Sequence, residues 1–195
     1  MFNEIFILII AYIIGSIPFG LIITFCAGRG DVRKIGSGNI GTTNVLRTGS
    51  KFLALLTLIA DSSKIILAII LAKKLGFDMD YLVGSISLLG HLFPVWLKFE
   101  GGKGVASFLG LSLYLFPQVA LILAGTWIIT FFITRYSSLS AIFSSIVGII
   151  SLIVFLPCSY ELFLMLGLIM LILIKHKSNI IRLFKGQESK FSSKN

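Results

Sequence analysis

The sequence predicts an all-α polytopic membrane protein of about seven transmembrane helices, with the N-terminus out, the C-terminus in and three cytoplasmic motif loops. Three observations predict it. Hydrophobic residues make up 56% of the chain and charged residues 13%, against about 45–50% and about 25% in soluble domains. The apolar residues run in long stretches, which a bilayer solvates on every side. The basic residues collect on alternate connections between those stretches, as the positive-inside rule requires.

The apolar stretches are 4–27, 52–72, 80–97, 105–134, 141–157 and 160–174. A crossing needs about 20 apolar residues. Stretch 105–134 is too long for one, and Pro117 and Gln118 near its middle turn it into a hairpin of two short helices. Pro157, with Ser159, Tyr160 and Glu161 close by, separates the last two stretches. The loop 98–104 and the tail 175–195 both read as cytoplasmic, so the chain between them crosses an even number of times. Four crossings there and three before give seven; the competing count treats 105–134 and 141–174 as single crossings and gives five.

Orientation follows from the 17 Lys and Arg residues. Five lie in 28–51, two in 98–104, one at Arg135 and six in 175–195, all on the assigned cytoplasmic side. Lys73 and Lys74 fall outside and Lys64 lies within a helix. No positive charge precedes the first apolar run, as it would in a secretory signal; Arg29, Arg33 and Lys34 follow it. The first segment is therefore expected to be a retained helix. No internal repeat is visible, and residues 1–195 read as one membrane domain.

The net charge of +9 is mostly topological, with a few residues left to bind anions, either lipid or substrate. Nucleic acid is excluded because the basic residues are scattered over short loops. Cys26 and Cys158 are expected at opposite membrane faces, which rules out a disulfide. No Cys/His cluster has zinc spacing, and neither metal nor cofactor is expected.

Three polar segments can carry chemistry. The first, 36–49, reads GSGNIGTTNVLRTG. Its glycines let backbone N–H groups approach an anion, its hydroxyls and amides add donors, and Arg47 adds a planar fork suited to phosphate. Gly36, Gly38 and Gly41 match GxGxxG, but no strand precedes them, so the dinucleotide reading fails. The second, 90–106, reads GHLFPVWLKFEGGKGVA. Gly101, Gly102, Lys103 and Gly104 form a glycine-rich turn that opens a helix, a setting that favours phosphate. Gly104 follows Lys103 where a Walker loop needs Ser or Thr. His91 reads as a packing or supporting residue. The third, 175–190, reads KHKSNIIRLFKGQESK, with His176 and Asn179 on one helix face. Asp61 and Lys64, three apart inside the second stretch, read most simply as a structural ion pair. With no paired carboxylates and no metal box, these residues point to transfer, or transport, of a phosphorylated molecule beside the bilayer.

At these residues the chain resembles the bacterial acyl-phosphate-dependent glycerol-3-phosphate acyltransferase family. GSGNIGTTNVLRTG, GHLFPVWLKFEGGKGVA and HKSNIIRLFKGQE resemble its three cytoplasmic motifs, in the same order and over nearly the whole chain. Thr42 stands where many members have alanine. The resemblance implies transfer of a fatty acyl group from acyl phosphate to the 1-hydroxyl of sn-glycerol 3-phosphate, giving lysophosphatidic acid and phosphate. It implies no cofactor, membrane lipids as surroundings, a bacterial inner-membrane location and a functional link to an acyl-phosphate-forming enzyme. It implies catalytic roles for Ser37, Arg47, Lys103, His176 and Asn179. Substrate-binding roles would fall to Gly38, Asn39, Gly41, Thr43, Asn44, His91, Gly101, Gly102 and Gly104, and a structural role to Glu188. The H-x4-D box of other acyltransferases is absent: Trp96 stands five residues after His91, and Ile181 five after His176.

Overall fold

The computed structural model describes residues 2–191; Lys194, counted above with the basic tail, lies outside them. Among the described residues there are helices, turns and loops and no strand. The chain divides into two compact units, 1–115 and 116–195.

The first unit holds α1 (Phe2–Ser16), α2 (Phe19–Cys26), the five-residue α3 (Thr42–Leu46), α4 (Lys51–Lys74), α5 (Asp80–Leu92) and α6 (Val105–Leu115). The stretch expected as one helix over 4–27 is two, bent by 45° at Ile17–Pro18. Pro18 has no N–H to continue the helical ladder, and its ring disfavours helical backbone before it. The break frees the Ile17 carbonyl, which accepts a hydrogen bond from Lys64 Nζ at 2.9 Å.

α1 and α5 pack at very close range. A Cβ on Gly15 would collide with the Ser87 backbone, and one on Gly90 with the Tyr12 carbonyl. Small residues at such crossings let helix backbones approach where no hydrophobic drive separates helix from lipid. α4 turns Ala54, Thr57, Asp61, Lys64 and Ala68 inward and leaves Phe52, Leu55, Ile59 and Leu67 exposed. Polar and small inside with large apolar outside suits a helix solvated by lipid, and inverts the soluble pattern.

α6 starts deep along α4. Ser107 Oγ donates to the Asp61 carbonyl at 3.0 Å, and Ser62 Oγ donates to the Ala106 carbonyl at 2.9 Å. α6 thus begins level with Asp61–Ser62, roughly 15 Å along α4 from Lys51 at the ordinary helical rise. The segment 93–104 lies between the end of α5 and this sunken start.

The second unit holds α7 (Pro117–Thr134), α8 (Ser137–Phe155), α9 (Tyr160–Lys175) and α10 (Lys177–Phe184). The expected split of 105–134 is present: α6 ends at Leu115 and α7 starts at Pro117, which occupies a first-turn position where its missing N–H does no harm. α8 buries Ser138, Ser140, Ser144, Ser145 and Ser151. The hydroxyls of Ser140, Ser145 and Ser151 donate to carbonyls four residues back, so they are satisfied without water. Ser159 caps α9 after the break at Pro157, its Oγ accepting from Leu162 N.

Among the described residues, four helical segments are long and apolar enough to cross a membrane, at Lys51–Lys74, Asp80–Leu97, Pro117–Thr134 and Ser137–Phe155. Two bent pairs, Glu4–Ser16 with Phe19–Cys26 and Tyr160–Lys175 with Lys177–Phe184, bring the number to six if each pair is one span. α6 is apolar but shorter.

Candidate functional site

The segment between α2 and α4 is folded on a core of its own. Val32, Ile40, Val45 and Ala54 are buried together, with Leu21, Leu46, Leu53 and Leu97 packed against them. Leu97 belongs to the second motif, so the first two motifs share this core. Ahead of it, Asp31 caps a 3-10 turn over Val32–Lys34 and pairs with Arg33 at 2.7 Å. The hydrogen bonds from the Arg33 side chain and backbone hold the Asp31 carboxyl down to about 2.

Asn44 organises the first motif. It is 2% exposed. Its Nδ2 donates to the carbonyls of Val32, Ile35 and Asn39 at 2.8, 3.1 and 2.8 Å. Its Oδ1 accepts from Ser37 N at 3.0 Å and from Arg47 NH1 at 3.3 Å. One neutral amide thus ties three carbonyls, the Ser37 backbone and the Arg47 guanidinium into one loop, which explains its burial. Gly36 lies directly under Arg47: it has φ of 53°, and a Cβ there would stand 2.7 Å from Arg47 Cδ and collide with Asn44 Oδ1. Ser37 and Gly38 are exposed, while Asn39, Gly41, Thr43 and Arg47 are half-buried. Gly41 precedes α3 in extended conformation. Thr42 Oγ1 is buried without a hydrogen-bond partner among the described residues, so its hydroxyl adds no bond within the loop.

The second motif folds back on the end of α5. Gly101 N donates to the Leu92 carbonyl at 3.2 Å and Gly102 N to the His91 carbonyl at 3.1 Å, satisfying acceptors that a helix end leaves open. Tyr12 OH caps the Phe93 carbonyl at 2.6 Å. Lys98 and Phe99 both take left-handed backbone, with φ of 52° and 64°, a costly conformation for side-chain-bearing residues that clusters at functional loops. Gly104 has φ of 85° and α6 starts immediately after it, with Phe108 N bonded to the Gly104 carbonyl at 2.7 Å. Lys103 is half-buried.

His91 is not at the surface of this turn but beneath it, 4% exposed. Lys64 Nζ lies 2.9 Å from its Nδ1 and 2.8 Å from Asp61 Oδ1. The pair read as i, i+3 within one helix is therefore a trio spanning two helices. Its third member could not be found locally, since His91 is 27 residues from Lys64.

The third motif belongs to the second unit. His176 stands at the 52° bend between α9 and α10, 3% exposed. Its Nδ1 is 2.8 Å from the Ile172 carbonyl. A carbonyl only accepts, so Nδ1 carries the proton and the neutral ring has its lone pair at Nε2. Asn179 Nδ2 and Ser138 Oγ donate to Glu188 Oε1 at 2.8 and 2.7 Å, and Arg182 Nε donates to Oε2 at 2.7 Å. The Glu188 side chain is 7% exposed. Burial pushes its carboxyl up, but the bonds from Ser138, Asn179 and Arg182 outweigh it and hold the group below the usual carboxylate range. The sequence alone does not single out Ser138 or Arg182. Arg182 was within reach as part of the motif; Ser138, 50 residues from Glu188, was not.

A family model described as glycerol-3-phosphate acyltransferase matches residues 5–186. A glycerol-3-phosphate acyltransferase of Bartonella henselae is 49% identical over 194 residues, covering 97% of this chain and 92% of its own. One of Brucella anthropi is 50% identical over 189 residues, covering 96% and 92%. A crystal structure of PlsY (YgiH), an integral membrane glycerol 3-phosphate acyltransferase, in its glycerol 3-phosphate form, superposes with a TM-score of 0.89 at 36% identity, covering 98% of this chain and 96% of that one. The lysophosphatidic acid form of PlsY gives 0.86 at 35% identity, with the same coverage.

Proposed function

The chain belongs to the glycerol-3-phosphate acyltransferase family, and from that membership we propose that it takes its acyl group from acyl phosphate. The 1-hydroxyl of sn-glycerol 3-phosphate attacks the donor carbonyl carbon and a new ester C–O bond forms. The bond from that carbon to the bridging phosphate oxygen breaks, and the hydroxyl proton leaves with inorganic phosphate. The other product is 1-acyl-sn-glycerol 3-phosphate, a lysophosphatidic acid. The carrying observation is that two glycine-rich loops, one presenting Arg47 and the other Lys103, are built on one shared core. Both substrates bear phosphate, and two anion cradles are what such a pair requires.

In this reading Ser37 and Arg47 act on the reacting groups, with Gly38, Asn39, Gly41 and Thr43 supplying backbone and side-chain donors and Asn44 holding the loop in shape. Lys103 and Gly101, Gly102 and Gly104 hold the donor phosphate. His176 and Asn179 bind substrate, and Glu188 orders their motif. Acyl phosphate is a mixed anhydride and already activated, so positioning and charge stabilisation suffice and a donor phosphate oxygen can take the proton. The surroundings proposed are the bacterial inner membrane, with seven crossings when α6 is counted beside the six candidates, the N-terminus out and the chain acting as a single membrane domain. An enzyme that forms acyl phosphate would have to supply the donor.

The test is phosphate release from palmitoyl phosphate by purified protein, with and without glycerol 3-phosphate. Release that needs the acceptor and yields lysophosphatidic acid supports the proposal. Release without acceptor would make the protein an acyl-phosphate hydrolase, and no release would remove the donor assignment.

A further inference from the structure

We infer that α10 lies in the membrane interface with its exposed face docked on anionic phospholipid headgroups, and that this docking holds the third motif in its working shape. The docking rests on α9 crossing the bilayer; its effect on turnover rests in addition on the acyltransferase reading.

An exposed stripe runs along both helices. Phe163, Gly167, Met170 and Ile174 on α9 are exposed, and so are Lys177, Ile181 and Phe184 on α10. The steps between them alternate four and three residues, the spacing that keeps to one helix face. The bend at His176 preserves the phase: His176 N donates to the Ile172 carbonyl at 3.2 Å, and Ile180 N to the His176 carbonyl at 2.9 Å. The face that α9 turns to lipid therefore runs on into α10, where Phe184 is 89% exposed. The cover for Ile181 and Phe184 is then the leaflet from which α9 emerges.

The same face is cationic. Lys177 lies on the stripe at the bend, and Lys185 is exposed beside Phe184. The one acidic residue beyond Lys175 is Glu188, and it is turned inward to Ser138, Asn179 and Arg182. No carboxylate of this segment is left outside to repel a headgroup phosphate. Lysine stems lie along apolar surface while their ammonium heads reach polar groups. Near an anionic leaflet each such lysine favours binding by roughly fivefold, so two give on the order of 25-fold.

α10 also carries the third motif. It has eight residues, and isolated helices that short are marginal in water. Its inner face holds Asn179, buried and bonded to Glu188, with His176 buried at its start. Contacts that order the outer face therefore order the inner one. A zwitterionic leaflet offers Lys177 and Lys185 no net counter-charge, so α10 sits less firmly there.

The full chain with Cys26→Ser and Cys158→Ser is labelled with a nitroxide at Phe184→Cys and reconstituted in phosphatidylcholine vesicles with or without phosphatidylglycerol. Collisions with oxygen, which concentrates in lipid, should exceed those with a neutral water-soluble nickel chelate. The excess should grow with phosphatidylglycerol, and Lys177→Gln with Lys185→Gln should remove that growth. Ile181→Cys carries the label if Phe184→Cys is not recovered folded. In the unlabelled protein, turnover should rise about threefold or more with phosphatidylglycerol, against less than about 1.5-fold in the double glutamine variant. The two proteins are compared in the same vesicles at saturating palmitoyl phosphate, so substrate partitioning cancels. An excess of nickel collisions overturns the docking. An oxygen excess indifferent to phosphatidylglycerol overturns the headgroup recognition. Docking without a difference in turnover between the two proteins overturns the coupling to the third motif. If the unaltered protein transfers no acyl group from palmitoyl phosphate, the donor reading falls by itself, and the label still decides the docking.

Discussion

The first and third motifs hold their polar groups by opposite means. In the first, a neutral amide, Asn44, is buried and surrounded by backbone partners, with one guanidinium at its edge. In the third, a carboxylate, Glu188, gathers three side chains, one of them charged. The amide has both donor and acceptor faces, so it can knit a loop by donating to its carbonyls and accepting from its N–H groups. The carboxylate only accepts, so it can gather donors but cannot cap a carbonyl. The first arrangement builds a rigid loop from backbone, and it does not titrate. The second sorts side chains, and its strength depends on the carboxyl being ionised.

Removing the group that each arrangement presents gives the largest effect. Arg47→Ala should lower turnover by at least about 10³-fold, as loss of a charge-stabilising donor does, with helicity unchanged by circular dichroism. Asn44→Ala comes next. It removes the side-chain donor shared by the Val32, Ile35 and Asn39 carbonyls, and although Val32 and Ile35 keep backbone donors, the lost bonds are worth roughly 1–3 kcal/mol in all, so thermal stability in detergent and turnover should both fall. Asn44→Asp should do little better, because it supplies no donor. Wild-type behaviour in Asn44→Asp would refute the role of the amide.

Glu188→Gln should be milder than Asn44→Ala, about tenfold in turnover, since the amide oxygen can still accept from Asn179 and only the charge on Arg182 loses its partner. The pH dependence has a definite sign. The folded carboxyl titrates below the ordinary value of 4.5. Its contribution to stability is thus complete above about 4.5 and is lost as pH falls through the lower folded value. Thermal midpoints of wild type and Glu188→Gln should run parallel from pH 8 down to about 5 and converge below 4.5. Convergence that began at neutral pH would mean the carboxyl is not held down. Ser138→Ala should have the smallest effect, about 1 kcal/mol or less on the midpoint and under about twofold on turnover, because two donors to Glu188 remain.

The apolar stretches, the break at Pro117 and the break at Pro157 were legible in the sequence because each depends on residues within one or two turns. The bend at Ile17–Pro18 is equally local, yet the apolar run 4–27 continues through the proline and hides it. The three motifs were legible as chemistry. Their internal division of labour was not: Asn44 reads like any other polar loop residue until the three carbonyls around it are seen. Lys64 and Asp61 stood out as charges in an apolar helix, but His91 joins them from another helix, and Ser138 reaches Glu188 from α8. Such partners are chosen by packing and leave no trace in spacing.

The sunken start of α6 has a kinetic consequence. If the donor is acyl phosphate, as proposed above, a glycine turn level with the middle of α4 favours delivery of that amphiphile sideways within the lipid layer over arrival from water. For such a donor the quantity that drives the rate is its mole fraction in the surrounding amphiphile, not its amount per volume of buffer. Diluting the assay with inert detergent or lipid at fixed total palmitoyl phosphate should slow the reaction, while the same dilution leaves the response to water-borne glycerol 3-phosphate unchanged.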